Sequence, residues 1–221
     1  MWPRGKAPVR LWLVVQFCLA SQELWVRRGP GSTVTGSKEV RTLSAEAIRR
    51  YYEAKWGAPA RLARFEAFGH AIEVYKWTEE AADEGVAIYA TNGASAGVAS
   101  WDSHRIEFFV GFHPEFDGIA PALSLLATYP LRGGGVSTGD TVTLGDPLWP
   151  GAPVSTFLIV PQIEELLEPL ALADGTHVQF CQVMPISKAE VEMKRQHGAV
   201  WLLGELNDRG IATWMHQRKY L

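Results

Sequence analysis

The sequence contains little cysteine and no strong excess of either charge. Its 221 residues include two cysteines, Cys18 and Cys181, which are too few for a disulfide framework and favour a reducing compartment. The formal net charge is −3 and no basic stripe stands out, so sequence-independent binding to the nucleic-acid backbone is not expected. The apolar run at residues 11–20 is too short to span a bilayer comfortably. We therefore expect a cytoplasmic protein with neither a nucleic-acid nor a membrane partner.

Motifs of metal-dependent and nucleotide-dependent catalysis are also missing. None of the six histidines pairs with another at i, i+4 spacing, and no Cys-x-x-Cys occurs, so we expect no metal site. The glycine-rich stretch at 134–141 has P-loop spacing, but Asp140 stands where the phosphate-binding lysine is required. We therefore predict no cofactor and no enzymatic activity. The alternative is a hydrolase or transferase whose site is assembled from dispersed residues such as Ser95, Asp102 and His104.

The chain does contain enough apolar residues to build one core. Hydrophobic residues make up 47% of it, with nine tryptophans, and its length fits one domain. We expect a disordered or mis-started segment at the N-terminus. A signal peptide is one alternative, because Arg4, Lys6 and Arg10 precede the apolar run, and a packed element is the other. We expect residues 1–37 to lie outside the folded domain and 38–210 to form it. Residues 211–221 are expected to be a C-terminal tail, with a solvated stretch at 215–221.

Hydrophobic periodicity predicts both helices and strands. Ser44 is a suitable N-cap for an amphipathic helix that Gly57 ends, and the segment 119–129 predicts a second helix. Ser187 and Glu190 form a capping box before a third helix, whose middle is weakened by Gly198. Runs rich in β-formers predict strands at 72–77, 86–91, 105–112, 141–144, 155–160 and 178–184. The expected fold is of the α/β (α+β) class, with a mixed, mainly antiparallel sheet packed with helices.

Glycine and proline are concentrated at residues 129–185, which we interpret as turns joining short strands. We expect a rigid, exposed corner at Leu148-Trp149-Pro150-Gly151, and Arg132 begins a loop of three glycines. Because tryptophan and arginine are frequent anchors of protein interfaces, we predict Trp149, Arg132 and Asp140 as candidate partner-binding residues. The alternative for Trp149 is that it packs inward as a lid on the sheet.

Several short motifs follow one another between residues 41 and 206. They are Thr91-Asn92-Gly93-Ala94-Ser95, Arg105-Ile106-Glu107-Phe108, Gly139-Asp140-Thr141-Val142, Gly145-Asp146-Pro147-Leu148, Ser155-Thr156-Phe157-Leu158 and the run 178–186, with Ala189-Glu190-Val191-Glu192 and Gly198-Ala199. In this order and spacing they resemble the suppressor of fused-like domain family in its bacterial form. Ala94 departs from the usual Thr-Asn-Gly-Leu/Met-Ser pattern of that family.

The resemblance implies an α/β fold without known catalytic residues and a function in protein binding. In animals, the protein of this family restrains a zinc-finger transcription factor and has two lobes, and this chain is long enough for the first lobe only. Bacterial members are regarded as immunity proteins, each of which neutralises a toxin encoded beside it. We therefore expect a bacterial immunity protein that binds a toxin directly. A general scaffold or regulatory binding protein is the alternative.

Overall fold

The computed structural model describes residues 38–97, 104–160 and 166–221, with the side chains of all of these except 38–43 and 104. The segment 1–37, predicted to lie outside the domain, falls outside the described residues. The helices are α1 (Lys38–Trp56), α2 (Glu79–Ala82), α3 (Ala120–Leu131), α4 (Lys188–His197) and α5 (Ala199–Asp208). The strands are β1 (Arg61–Ala67), β2 (His70–Trp77), β3 (Ala87–Asn92), β4 (His104–Phe112), β5 (Thr141–Thr143), β6 (Thr156–Val160), β7 (Leu170–Ala171) and β8 (His177–Ile186).

One eight-stranded sheet organises the described chain. Its strand order is β1-β2-β3-β4-β8-β6-β5, and the short strand β7 pairs with the beginning of β8. Every neighbouring pair is antiparallel except β4 and β8, which are parallel. The six predicted strands are all present, and the expected mixed, mainly antiparallel sheet is confirmed. The sequence pattern did not predict β1 and β7.

The strands alternate their side chains between two apolar layers, as the period of two requires. On one face, α1 buries Tyr52 and Trp56 against Trp77 and neighbouring rings. On the other face, α3 buries Leu123 and Leu126 in a cluster that includes residues of β2, β3, β4, β6 and β8. A third cluster joins α4 and α5 to the ends of β6 and β8. Because each fully buried apolar side chain contributes roughly 1.5–3 kcal/mol, these layers stabilise the sheet from both sides.

Two helix predictions differ from the structure at their ends. Ser44 does not cap α1, which begins at Lys38, so Ser44 lies within that helix. Gly198 does not sit inside one continuous helix: it has φ +94° and separates α4 from α5. A left-handed φ is open to glycine because it lacks a Cβ, so Gly198 ends α4 with its N–H on the Lys194 carbonyl. Within the described residues, no helix combines the length and apolarity needed to cross a membrane.

The final residues pack onto the domain. His216 is 8% exposed and Arg218 is 6% exposed, so the expectation that 215–221 is solvated is wrong for these two side chains. Arg218 donates two hydrogen bonds of 2.7 Å to the Glu190 carboxylate and one of 3.0 Å to the Pro185 carbonyl. The capping box at the start of α4 therefore also anchors the end of the chain.

The β1–β2 hairpin turns in an unusual way. Its two loop residues are Phe68 and Gly69, with φ of +54° and +74°, which is the pattern of a type I′ turn. Such a turn favours Asn, Asp or Gly, and a bulky residue at positive φ is uncommon. Phe68 is also 64% exposed. The hairpin therefore holds a large apolar side chain in solvent, in a backbone conformation that phenylalanine rarely adopts.

Candidate partner-binding surface

The Thr91–Ser95 motif surrounds a fully buried carboxylate on β4. Glu107 accepts hydrogen bonds from the Thr91 hydroxyl at 2.6 Å and from the backbone N–H groups of Gly93 at 2.9 Å and Ser95 at 3.0 Å. Burial raises the pKa of Glu107, and these hydrogen bonds oppose the rise. The β3–β4 ladder ends at Ala90, opposite Phe109. Beyond Ala90 the Glu107 carboxylate accepts hydrogen bonds from the N–H groups of Gly93 and Ser95, which have no partner in the β3–β4 ladder. The motif therefore has a structural role.

Two serines also stand in the Gly-x-Ser-x-Gly spacing of a nucleophile elbow, Ser95 and Ser137. An elbow needs its serine exposed at a sharp turn between a strand and a helix. Ser95 is 4% exposed, and its backbone N–H donates a hydrogen bond to the buried Glu107 carboxylate. The loop that contains Ser137 leads into β5 rather than into a helix. Asp102 and the side chain of His104 lie outside the described part of the chain. The alternative site of Ser95, Asp102 and His104 therefore stays a prediction.

The histidines are spread over several regions. His113 Nδ1 lies 2.6 Å from a Glu79 carboxylate oxygen, whereas His216 stacks on Phe116 with ring centroids 4.0 Å apart. Burial lowers the pKa of His216, and its Nδ1 is buried without a hydrogen-bond partner. Among the side chains that the structure describes, no three of His, Cys, Asp and Glu are grouped so that they could hold a metal ion.

Trp149 is buried, so the expectation of an exposed corner is wrong for this side chain. It is 9% exposed, and its ring lies 5.2 Å from that of Phe116 and 6.5 Å from that of Phe112, centroid to centroid. The structure therefore has the inward-packed arrangement, in which Trp149 covers a ring of β4. The corner residues Pro150 and Gly151 remain exposed.

Arg132 and Asp140 are both exposed, at opposite ends of the loop between α3 and β5. The Arg132 guanidinium lies 5.6 Å from the centroid of the Phe68 ring, within the range of a cation–π contact. Asp140 accepts a hydrogen bond of 2.8 Å from the Ser137 N–H, which closes the loop on itself. A carboxylate in this position and a strand after the loop both argue against phosphate binding.

An apolar stripe runs along the outside of α3. Pro121, Leu125 and Tyr129 follow at intervals of four residues and are exposed, with values of 48% for Leu125 and 40% for Tyr129. The helix carries no charged residue at all. Surface helices normally place charged and polar groups on the side away from the core. This outer face is therefore unusual for a surface that contacts only water.

The glycine loop fixes the end of this stripe. A Cβ on Gly134 would lie 2.3 Å from the Tyr129 ring, so only glycine lets the loop approach that ring. The Gly134 N–H also donates to the Tyr129 carbonyl at 3.0 Å. We define the α3 surface as Phe68, Leu125, Tyr129 and Arg132. Of these, sequence reasoning predicted Arg132 alone; the four-residue spacing of apolar residues on an uncharged helix was the signal for Leu125 and Tyr129.

The architecture is that of an α+β domain with helices on both faces of one mixed sheet. The sequence profile of the Suppressor of fused protein (SUFU) family matches residues 69–217, which is well over half of the chain. The chain therefore belongs to the Suppressor of fused family, as its motifs indicated. Among proteins with curated descriptions, none matches the sequence.

Solved structures of the family share the fold at low sequence identity. A SUFU homologue from Neisseria gonorrhoeae is 18% identical with a TM-score of 0.57, over 80% of this chain and 96% of that one. A chain of the Sufu–Fu complex is 13% identical with a TM-score of 0.54, over 74% of this chain and 84% of that one. Drosophila Suppressor of Fused is 12% identical with a TM-score of 0.55, over 75% of this chain and 47% of that one. The chain thus spans about half of the Drosophila protein.

Proposed function

We propose that this chain is a non-enzymatic domain that binds a protein partner through the α3 surface. The observation that carries the proposal is the exposed apolar face of an uncharged helix, with Leu125 48% and Tyr129 40% exposed. Contiguous apolar residues of this kind on a soluble domain mark interaction sites. The Sufu–Fu structure, in which a relative of the same fold forms a complex, supports a binding role for the fold.

The α3 surface has the composition of an interface centre. Aromatic residues and arginine are enriched at binding hot spots, where they fill pockets of the partner and lose their water. Phe68 adds a large ring at the hairpin tip, where its positive φ is a local strain that a purely structural turn would avoid. The Arg132 guanidinium lies over this ring, and its N–H groups can donate hydrogen bonds to an acceptor on the partner. Asp140 is a candidate for the polar rim, and the buried Trp149 is left out of the surface.

The finer proposal is that the partner is a toxin and that the chain is a cytoplasmic bacterial immunity protein. The chain would neutralise the toxin by covering its active site. The homologue from Neisseria gonorrhoeae shows that the fold occurs in a bacterium. The net charge of −3 is compatible with a basic partner, because complementary charge speeds association and suppresses wrong partners.

Co-expression with the toxin-like product of an adjacent gene tests both levels of the proposal. We expect the wild-type chain to restore growth of cells that produce the toxin and to co-purify with it. Leu125→Glu should lose both effects, because it places an unpaired charge at the centre of the contact. Val200→Glu is the matched control: Val200 is 49% exposed on α5, a helix that contributes no residue to the α3 surface, and this variant should still protect.

The possible results separate the two levels. Protection that survives Leu125→Glu as well as Val200→Glu would remove the α3 surface from the proposal. Failure of the wild-type chain to bind the toxin or to protect the cells would contradict the proposal that the partner is a toxin. Binding of a different protein, abolished by Leu125→Glu alone, would instead identify a scaffold or regulatory domain.

A further inference from the structure

No other strand of the described part of the chain pairs with the outer edge of β1. Within the described residues β1 pairs with β2 alone and forms one end of the sheet. The two-residue turn is closed by Ala67 opposite His70, a pair whose backbone groups bond each other. Because the direction of these groups alternates along a strand, the odd-numbered residues of β1 bond to β2. Leu62, Arg64 and Glu66 then turn their N–H and C=O groups outward.

The side chains of this edge are charged in a self-complementary order. The Arg64 side chain is 61% exposed and that of Glu66 is 74% exposed, with 3.8 Å between their charged groups. Charged side chains often protect edge strands from pairing with a second copy. Charges of one sign would repel the same charges on that copy. Here the two charged residues among the three outward ones, Arg64 and Glu66, carry opposite signs, so a second β1 can face the first without like charges meeting.

Only certain registers join two copies of β1 in antiparallel order. The outward residues of one copy must face outward residues of the other, because only these have hydrogen-bonding groups available. A two-fold axis through Arg64 or through Glu66 would place like charges directly opposite, which destabilises a sheet. A two-fold axis through Phe65 instead places each Arg64 opposite the Glu66 of the other copy. In this register, the two Phe65 side chains also meet across the axis.

We propose that this protein associates with a second copy of itself through β1, in the register centred on Phe65. The two sheets then continue into each other as one sheet across the axis. The interface is isologous, which gives a closed dimer rather than a fibre. A strand of seven residues makes a small contact, and contacts of this size give weak, concentration-dependent association.

Charge reversal at the two positions tests the register. Arg64→Glu alone puts glutamates opposite each other twice, and Glu66→Arg alone puts arginines opposite each other twice. Each single variant should therefore dimerise at least roughly tenfold more weakly than the wild type. An equal mixture of the two variants restores opposite charges at both positions and should form a heterodimer. Arg195→Glu is the matched control, with a side chain 70% exposed on α4, and should dimerise like the wild type.

Sedimentation equilibrium from about 5 μM to about 500 μM covers the range of weak interfaces. The expected result is a wild-type dimer at the upper concentrations, monomeric single variants with unchanged circular dichroism, and recovery on mixing. A wild-type chain that remains monomeric throughout would overturn the proposal. So would single variants that dimerise like the wild type, or a mixture that does not recover. Leu125→Glu should leave the dimer intact, so failure of the α3 surface proposal and failure of this one are distinguishable.

Discussion

The pair formed by Glu190 and Arg218 is buried more deeply than any other ion pair among the described residues. Their side chains are 0% and 2% exposed, and both guanidinium hydrogen bonds to the carboxylate measure 2.7 Å. Glu190 also accepts the Ser187 N–H at 2.8 Å as part of the capping box. Two charges without solvent depend on each other, because neither has water to replace a lost partner.

Arg218→Met removes the cation and leaves the carboxylate buried. Breaking a buried pair in this way costs about 3–5 kcal/mol. For a chain of this size the loss corresponds to a fall in Tm of roughly 6–20 °C. The comparison is Arg209→Met, which removes an ion pair with Glu205 whose side chains are 52% and 26% exposed. A pair in that setting contributes about 0.5 kcal/mol or less, because water screens it.

Thermal and urea unfolding followed by circular dichroism at neutral pH would measure both losses. A third variant, Glu190→Gln combined with Arg218→Met, separates charge from packing. Glutamine retains the capping box but carries no charge, so the double variant should recover part of the stability lost in Arg218→Met. The reasoning fails if Arg218→Met costs no more than Arg209→Met. It also fails if the double variant is no more stable than Arg218→Met alone.

Three further predictions concern buried groups. Burial raises the pKa of Glu107, so the stability that this residue contributes falls as pH rises from its unfolded pKa to its folded pKa. Glu107→Gln should therefore make the urea midpoint of unfolding depend less on pH over that range. Burial lowers the pKa of His216 in the folded protein, so the folded state loses stability as pH falls from the unfolded pKa of histidine through the lower folded pKa. His216→Phe should therefore reduce the fall in Tm on acidification. Gly93→Ala should destabilise by several-fold more than Gly57→Ala in the same assay. Gly93 has φ +139° and a Cβ there would lie 2.6 Å from a carbonyl oxygen, whereas Gly57 at φ +76° has open space.

Local pattern was sufficient for most of the sheet and for the capping box. The β-rich segments of β2, β3 and β4 were predictable because their side chains must suit a pleated, largely buried surface. Ser187 and Glu190 were predictable because a capping box is set by a spacing of three residues, and both of its hydrogen bonds are present. Family membership followed from the order of short motifs. These features depend on residues that are close in sequence or on a repeated period.

Features that join distant parts of the chain were not predictable in this way. Arg218 lies 28 positions from Glu190, and nothing local distinguishes it from a solvated arginine in a basic tail. Trp149 lies within a proline-rich corner that looks exposed in the sequence, yet it is buried. The rings that bury it come from β4, from the loop after β4 and from the end of the chain.

The Thr91–Ser95 motif and Glu107 are buried, whereas the residues of the α3 surface are exposed. Thr91, Gly93 and Glu107 belong to a buried network whose loss would open the sheet between β3 and β4. Leu125 and Phe68 contribute exposed area and could change with little cost to the fold, because surface substitutions away from such networks have small effects. A family defined by the buried motif can therefore keep one architecture while its exposed helix is adapted to different partners. It follows that the α3 surface, rather than the motifs that carry the resemblance, is the place where partner specificity should be sought.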